Sequence, residues 1–355
     1  MKKLFIALSA ILVWTAIPAV SAQAVSVGQS CAKTTLGTRV STRINKKPVI
    51  VVCRIKAGRK QWIRAAVQTI TTTTTSTSTT STTVPAPVQN YTVTVDPNDS
   101  TLHTITIEGM QPRTYSLNVP SKYNPDTPVP LLFGFHGLGG SAKVFREQSQ
   151  IDVFTNDANV ISVFPNGYGS IAGAEDSWNA GSCCGLANIN QLDDVKLIAI
   201  IAKSVQERYN IDKKNVWAIG FSNGGMMSYR LACELSDQFT AIGVGAGALM
   251  TSTCSPPNPV SVIHIHGGLD WKVPVNGGGP YSSSDITKTF QLVNSSNQCS
   301  GMTYSETSEP TKTQISGICD DGTEAKLVNY AEQDHVWTVF WTKEILRFLF
   351  AHPRK

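Results

Sequence analysis

The chain has 355 residues, 41% of them apolar and 15% charged. That is too long and too apolar for a disordered protein, and long enough for two domains or one large one. The net charge of +5 conceals a division: all 25 acidic residues follow position 84, whereas 10 of the 30 lysines and arginines lie in residues 25–70. The early segment therefore carries +10 and the part beyond position 84 carries −7, from 18 basic against 25 acidic residues. The overall charge describes neither part, and nucleic acid is not a required partner.

Residues 1–24 open with Met1-Lys2-Lys3, run apolar from Leu4 to about Val20 and end in small residues, Val20-Ser21-Ala22-Gln23-Ala24. This is the pattern of a secretory signal peptide and implies a secreted, extracellular protein, with wall association as an option. No later stretch reaches the ~20 apolar residues of a membrane span. Residues 25–68 form a small basic module with strands expected at Val49–Cys53 and Gln61–Ile63. At this size a Cys31–Cys53 staple matters for folding. Its charge suits contact with an anionic cell-wall polymer or an acidic polysaccharide. Residues 69–90 are a Thr/Ser tract passing into Val84-Pro85-Ala86-Pro87, the composition of an extended linker.

From Tyr91 to Lys355 the pattern is that of a large α/β domain. Tyr91–Val95, His103–Glu108 and Arg113–Val119 read as an antiparallel start. Buried-type apolar runs follow at Leu131–Phe135, Val160–Phe164, Val216–Ile219, Ala241–Ala248 and Val260–His266. Helices are expected at Asp194–Tyr209, where Leu197, Ile198, Ile201 and Val205 share a face, at Gly224–Leu235 and at Trp337–Phe350. Strands alternating with helices imply a mainly parallel sheet covered on both faces. Asp193 and Asp194 read as helix-start residues.

Export makes disulfides permissible. Cys299 and Cys319 bracket a loop-like stretch and are expected to pair. A bond between the neighbours Cys183 and Cys184 would be strained, so each is expected to reach one of Cys233 and Cys254. No C-x-x-C or H-x-x-x-H spacing points to a metal.

The chemistry centres on Gly220-Phe221-Ser222-Asn223-Gly224-Gly225, between a strand and a helix. A tight turn there makes a nucleophile elbow, projecting the Ser222 hydroxyl from the carboxyl edge of the sheet. The chain order that goes with such an elbow is Ser, then acid, then His. His264 and His266 precede any plausible acid and His352 is close to the chain end, which leaves His335. The acid belongs in a loop after a strand. Asp270 fits, following Val260–His266, while Asp285 is a rival and Asp334 adjoins His335 too closely to orient it. An acyl-transfer serine also needs oxyanion donors. His136-Gly137-Leu138-Gly139-Gly140 follows a strand, so the backbone N–H groups of Leu138 and Asn223 are the expected donors. Trp178 and Trp271 flank the site as candidates for stacking on a sugar or aromatic acyl group, packing against the sheet being the other reading for Trp178.

These residues resemble a known family. Phe135-His136-Gly137-Leu138-Gly139-Gly140, Ser177-Trp178-Asn179, Gly181-Ser182-Cys183-Cys184-Gly185 and Gly220-Phe221-Ser222-Asn223-Gly224-Gly225-Met226-Met227 are similar to stretches of the secreted polyhydroxybutyrate depolymerase and feruloyl esterase family. So are His264-Ile265-His266-Gly267 with Asp270, and His335-Val336-Trp337. The resemblance covers about residues 110–350. It implies an α/β-hydrolase fold, the triad Ser222, Asp270 and His335, and hydrolysis of carboxylic esters in polymers such as polyhydroxybutyrate or feruloylated and acetylated plant polysaccharide, without metal or organic cofactor. Asp334 and Thr338 depart from the family's usual Gly before the histidine and Pro after the tryptophan. The alternatives are a prolyl-oligopeptidase-like peptidase and a wall-attached binding protein with a silent hydrolase fold.

Overall fold

The computed structural model describes residues 90–170, 175–308, 311–319 and 321–355, and before them the strands at 39–44, 47–56 and 59–64. The expected signal peptide, Cys31 with its pairing to Cys53, and the linker up to Gln89 lie outside the described residues. The chain divides into two units between Thr83 and Val84. In the first, β1 (Arg39–Ile44), β2 (Lys47–Lys56) and β3 (Arg59–Arg64) form an antiparallel sheet with β2 central. Both strands expected in the basic module are present.

The second unit is built on one sheet. Its strands are β4 (Tyr91–Asp96), β5 (Asp99–Ile107), β6 (Arg113–Asn118), β7 (Val129–Phe135), β8 (Ile161–Pro165), β9 (Ile211–Phe221), β10 (Ala241–Gly245), β11 (Ser261–Gly267), β12 (Cys299–Ser308), β13 (Thr311–Cys319) and β14 (Glu324–Tyr330). They lie in the order β12-β13-β14-β11-β10-β9-β7-β8-β6-β5-β4. The stretch from β14 to β8 is parallel, and both flanks are antiparallel. The parallel strands are the near-continuous apolar runs of the sequence, because both of their faces are covered.

Helices cover both faces. Buried residues of α1 (Ala142–Ser149), α2 (Ile151–Asp157) and α7 (Val339–Ala351) join one core cluster, which includes Phe145, Ile151, Trp341 and Ile345. Those of α4 (Asp194–Gln206), α5 (Asn223–Glu234) and α6 (Ile286–Ser296) join the other, with Ile198, Ile201, Met226 and Phe290. A short α3 (Gly185–Ile189) precedes α4. The expected stripe of α4 is buried throughout. Asp193 caps this helix by accepting from the Lys196 N–H at 3.1 Å. Asp194 is fully buried, 3.0 Å from Arg113, and accepts the Asn179 N–H at 2.8 Å. Both aspartates are thus structural, and Asp194 ties β6 to the loop before α3. Helix α7 starts later than the Trp337 expected, because the Thr338 hydroxyl accepts from the Trp341 N–H and caps it.

Two cysteine expectations change. Cys299 and Cys319 pair as expected, but the stretch between them is the β12–β13 hairpin rather than a loop, with the two cysteines directly opposite in register. Cys183 and Cys184 do not reach Cys233 and Cys254. They bond to each other across a cis peptide, and Cys233 bonds Cys254 with their Cα atoms 4.9 Å apart. The reason lies in α5. Cys184 lies against Met226, its Sγ 3.9 Å from the methionine sulfur, whereas Cys233 is in the last turn. Seven residues of helix separate the two places, about 10 Å. Cys254 follows β10 and meets the far end of α5, so the cross-pairings have no geometry to form.

Candidate active site

Strand β9 ends at Phe221 and α5 begins at Asn223, which leaves Ser222 alone to reverse the chain. It does so at φ 54°, ψ −119°, a backbone conformation that is costly for a residue with a Cβ and is found where a site over-determines it. The Ser222 N–H donates to the Gly245 carbonyl on β10 at 2.8 Å, and its carbonyl accepts the Met226 N–H at 2.9 Å. Gly224 makes the turn possible. A Cβ there would collide with the carbonyls of Phe135 and His136 at the end of β7. Ser222 is 7% exposed and stands at the N-terminus of a twelve-residue helix, where negative charge is favoured.

The loops after β11 and β14 bring Asp270 and His335 to the same edge. His335 Nε2 lies 2.9 Å from Ser222 Oγ, and its Nδ1 lies 2.7 Å from Asp270 Oδ2. A carboxylate only accepts, so Nδ1 carries the ring proton and Nε2 offers its lone pair to the serine. Asp270 is itself held by the Lys272 and Val273 N–H groups, both donating to Oδ1, at 2.9 and 2.8 Å. His266 adds a further contact to Oδ2 at 3.3 Å. Burial alone would raise the Asp270 carboxyl, but the bonds from His266, His335 and the Val273 N–H outweigh it and hold the group well below the usual carboxylate range. The rivals are occupied elsewhere: Asp285 caps α6 by accepting the Lys288 N–H, and Asp334 accepts the N–H of His335.

The loop after β7 lies against the serine. A Cβ on Gly137 would stand 3.4 Å from Ser222 Cβ. Next in the chain is Leu138. Among the described residues neither the Leu138 N–H nor the Asn223 N–H donates to a protein acceptor. The loop is fixed by the buried His136, whose Nδ1 faces the Gly137 carbonyl at 2.8 Å and whose Nε2 accepts the Gly167 N–H at 2.9 Å. Burial holds this ring neutral by lowering its pKa to about 4. The Gly139 N–H donates to the Asp176 carbonyl at 2.8 Å.

The two tryptophans part company. Trp178 is fully buried, edge-on to Phe135 and tilted against His136, with its indole N–H donating to the His136 carbonyl at 3.0 Å. It offers no face to a ligand and instead supports the Leu138 loop from behind, so of its two readings packing is the correct one. Trp271 is 62% exposed beside Asp270, with the Lys272 ammonium over its ring. His264 and His266, set aside above as the base, lie two residues apart on β11 and so share a face, and both are fully buried. Among the described residues no group of three or more His, Cys, Asp or Glu is placed to hold a metal ion.

The sequence profile of the phospholipase/carboxylesterase family matches residues 116–312, more than half of the chain. The chain belongs to this family. The matched stretch takes in Ser222 and Asp270 and ends before His335. Among curated relatives of this phospholipase/carboxylesterase family member are the probable feruloyl esterase C of Aspergillus oryzae, 34% identical over 171 residues, and the feruloyl esterase C of Emericella nidulans, 33% identical over 171 residues. Each alignment covers 47% of this chain and 58% of the relative, so the chain spans a little over half the length of the curated relatives it matches. Among solved structures, the acetyl xylan esterase from Aspergillus awamori superposes with a TM-score of 0.50 at 13% identity, covering 74% of this chain and 99% of that one. That likeness, with the sheet order above, shows an α/β-hydrolase fold. Among the described residues no helix is long and apolar enough to cross a membrane.

Proposed function

We propose that the protein is a secreted serine esterase that hydrolyses carboxylic esters of polymeric substrates. One observation carries the reading: the His335 ring bridges Asp270 and the elbow serine Ser222 at 2.7 and 2.9 Å. In this reading Ser222 attacks the ester carbonyl while His335 Nε2 takes its proton. Asp270 keeps the proton on Nδ1 and stabilises the imidazolium. The N–H groups of Leu138 and Asn223 receive the oxyanion, aided by the positive end of α5. His335 then protonates the departing alcohol. Water, activated by the same ring, attacks the acyl-enzyme and releases the acid. The named activities of the curated relatives favour feruloyl esters of plant polysaccharide, with acetyl esters and polyhydroxybutyrate-type polyester as the other substrate classes. Trp271 is the exposed aromatic surface available to an acyl or sugar group. The basic segment at 25–68 would hold the enzyme on an anionic polymer, and the leader at 1–24 would export it.

The test is a fluorophosphonate label followed by a substrate panel of methyl ferulate, acetylated xylan and polyhydroxybutyrate. The proposal expects stoichiometric labelling of Ser222 and turnover of at least one member. Folded protein that takes no label would refute it, and cleavage of peptides without any ester turnover would reassign it as a peptidase.

A further inference from the structure

Behind Asp270 runs a line of buried polar side chains that the reaction does not touch. Tyr229 on α5 and His264 and His266 on β11 are each at most 1% exposed. The Tyr229 hydroxyl is 2.8 Å from His264 Nδ1, and His264 Nε2 is 2.9 Å from His266 Nδ1. His266 Nε2 ends the line, 2.7 Å from the Val273 carbonyl and 3.3 Å from Asp270 Oδ2. Buried polar groups are expected to be satisfied, but satisfaction alone does not require that they point one way.

Here the partners fix the direction. His266 Nε2 faces two oxygens that can only accept, so it carries a proton. If His266 is neutral, its Nδ1 is an acceptor and His264 must donate from Nε2. His264 Nδ1 is then an acceptor, and Tyr229 donates to it. Reversing the line would put a second proton on His266 and turn the Tyr229 hydrogen away from His264. Among the described residues that hydroxyl has no other acceptor. Burial also opposes the charged forms: it pushes the Tyr229 phenol up and holds His264 well below the usual histidine range. Every donor therefore points from α5 toward the acid.

We infer that Tyr229, His264 and His266 are positioning residues, a one-way chain of hydrogen-bond donors that fixes the Asp270 turn for His335. The chain closes the set around the carboxylate. Oδ1 accepts the Lys272 and Val273 N–H groups, and Oδ2 accepts His335 Nδ1–H, with the proton-bearing His266 Nε2 3.3 Å away. The same His266 proton clamps the Val273 carbonyl, whose own residue donates to Oδ1. With three donors on the carboxylate and the His266 Nε2–H beside Oδ2, the carboxylate plane cannot turn, so His335 keeps the tautomer that presents Nε2 to Ser222. The inference rests on the esterase reading for its kinetic consequence, but not for its proton positions.

The experiment therefore has two arms on the full chain. Histidine-selective nitrogen-15 NMR of the wild type between pH 6 and 8 should find His264 and His266 both protonated at Nε2 and bare at Nδ1. A ring found protonated at Nδ1, or cationic, overturns the inference whatever the activity. In the second arm, hydrolysis of p-nitrophenyl acetate is compared for the wild type, His266→Leu and His266→Gln. The leucine variant should lose ~10-fold or more in kcat with KM within about twofold, and glutamine, which can still donate toward Val273 and Asp270, should recover most of the loss. Unchanged kcat in a folded His266→Leu protein, or equal losses in both variants, overturns the inference. If the leucine variant does not fold, the glutamine variant and the wild-type spectrum still decide. Absence of labelling and turnover in the wild type would instead count against the esterase reading and leave the proton positions as measured.

Discussion

Asn223 and Trp178 exchange two hydrogen bonds: the Trp178 N–H donates to Asn223 Oδ1 at 2.7 Å, and Asn223 Nδ2 donates back to the Trp178 carbonyl at 3.1 Å. The side chain at the first position of α5 thus pairs with buried backbone as a neighbouring strand would. Trp178 in turn holds the His136 carbonyl through its indole. The residue after Ser222 and the loop bearing Leu138 are therefore fixed to one another through Trp178. Asn223→Ala leaves the Trp178 N–H unpaired in the interior, at a cost of ~1–3 kcal/mol, while the Trp178 carbonyl keeps the Cys184 N–H at 3.2 Å. The expected outcome is a loss of about 2 kcal/mol in urea unfolding, with a fall in kcat for a small soluble ester. A loss under about 0.5 kcal/mol would show that the pairing contributes little.

Ser222 offers a second prediction, because its left-handed φ of 54° suits glycine better than any residue with a Cβ. Ser222→Ala removes the proposed nucleophile and keeps the backbone penalty, so turnover should vanish with little change in melting temperature. Ser222→Gly is equally inactive but relieves the penalty. It should be more stable than the alanine variant by ~1 kcal/mol, the reverse of the usual order of the two residues. If alanine is the more stable, the elbow stores no backbone strain.

The disulfide pattern is open to mass spectrometry. In a non-reduced tryptic digest, Cys183 and Cys184 fall in peptide 147–196, and Cys233 and Cys254 fall together in 231–272. The observed pairing predicts that these peptides appear separately, each two mass units lighter per internal bond (a consequence of the two hydrogens lost on oxidation). A cross-linked species of the two peptides would restore the pairing the sequence suggested. Replacing Cys233 and Cys254 with serine should cost about 3 kcal/mol through the loop they close.

What the sequence made legible follows from how strongly each local pattern is constrained. Runs such as Leu131–Phe135 and Val260–His266 announce themselves because strands buried on both faces must be apolar throughout. The elbow and its partners could be read from chain order, since only His335 follows a plausible acid and precedes the last helix. Strands β12 and β13 were not legible: Thr311–Cys319 is rich in Thr, Lys, Gln and Ser because this flank of the sheet is only partly covered. Disulfide partners depend on distances along α5 that no spacing rule contains. Trp178 shows the same limit, since an indole beside an active site has one sequence signature whether it faces a ligand or the core.

The last prediction concerns acid stability and follows from His136. Burial is the main cause of its lowered pKa, about 4, while the Gly137 carbonyl works the other way. In the unfolded chain the ring should titrate near 6.5. Between these values the unfolded chain binds a proton that the folded chain refuses, so unfolding free energy falls as pH falls. The loss begins as pH drops through about 6.5, approaches ~1.4 kcal/mol per pH unit and levels off near pH 4. His264, also held low by burial, adds a loss of the same sign. His136→Gln removes the titrating ring while retaining an amide able to accept the Gly167 N–H. The urea unfolding free energy of this variant should be lower than that of the wild type at pH 7, with an acid slope shallower by about one proton. Equal slopes in the two proteins would place the proton uptake elsewhere. Protonating His136 also converts Nε2 from the acceptor of Gly167 into a donor facing it, so the loop carrying Leu138 should loosen over the same pH range. Activity lost on that limb should return on neutralisation.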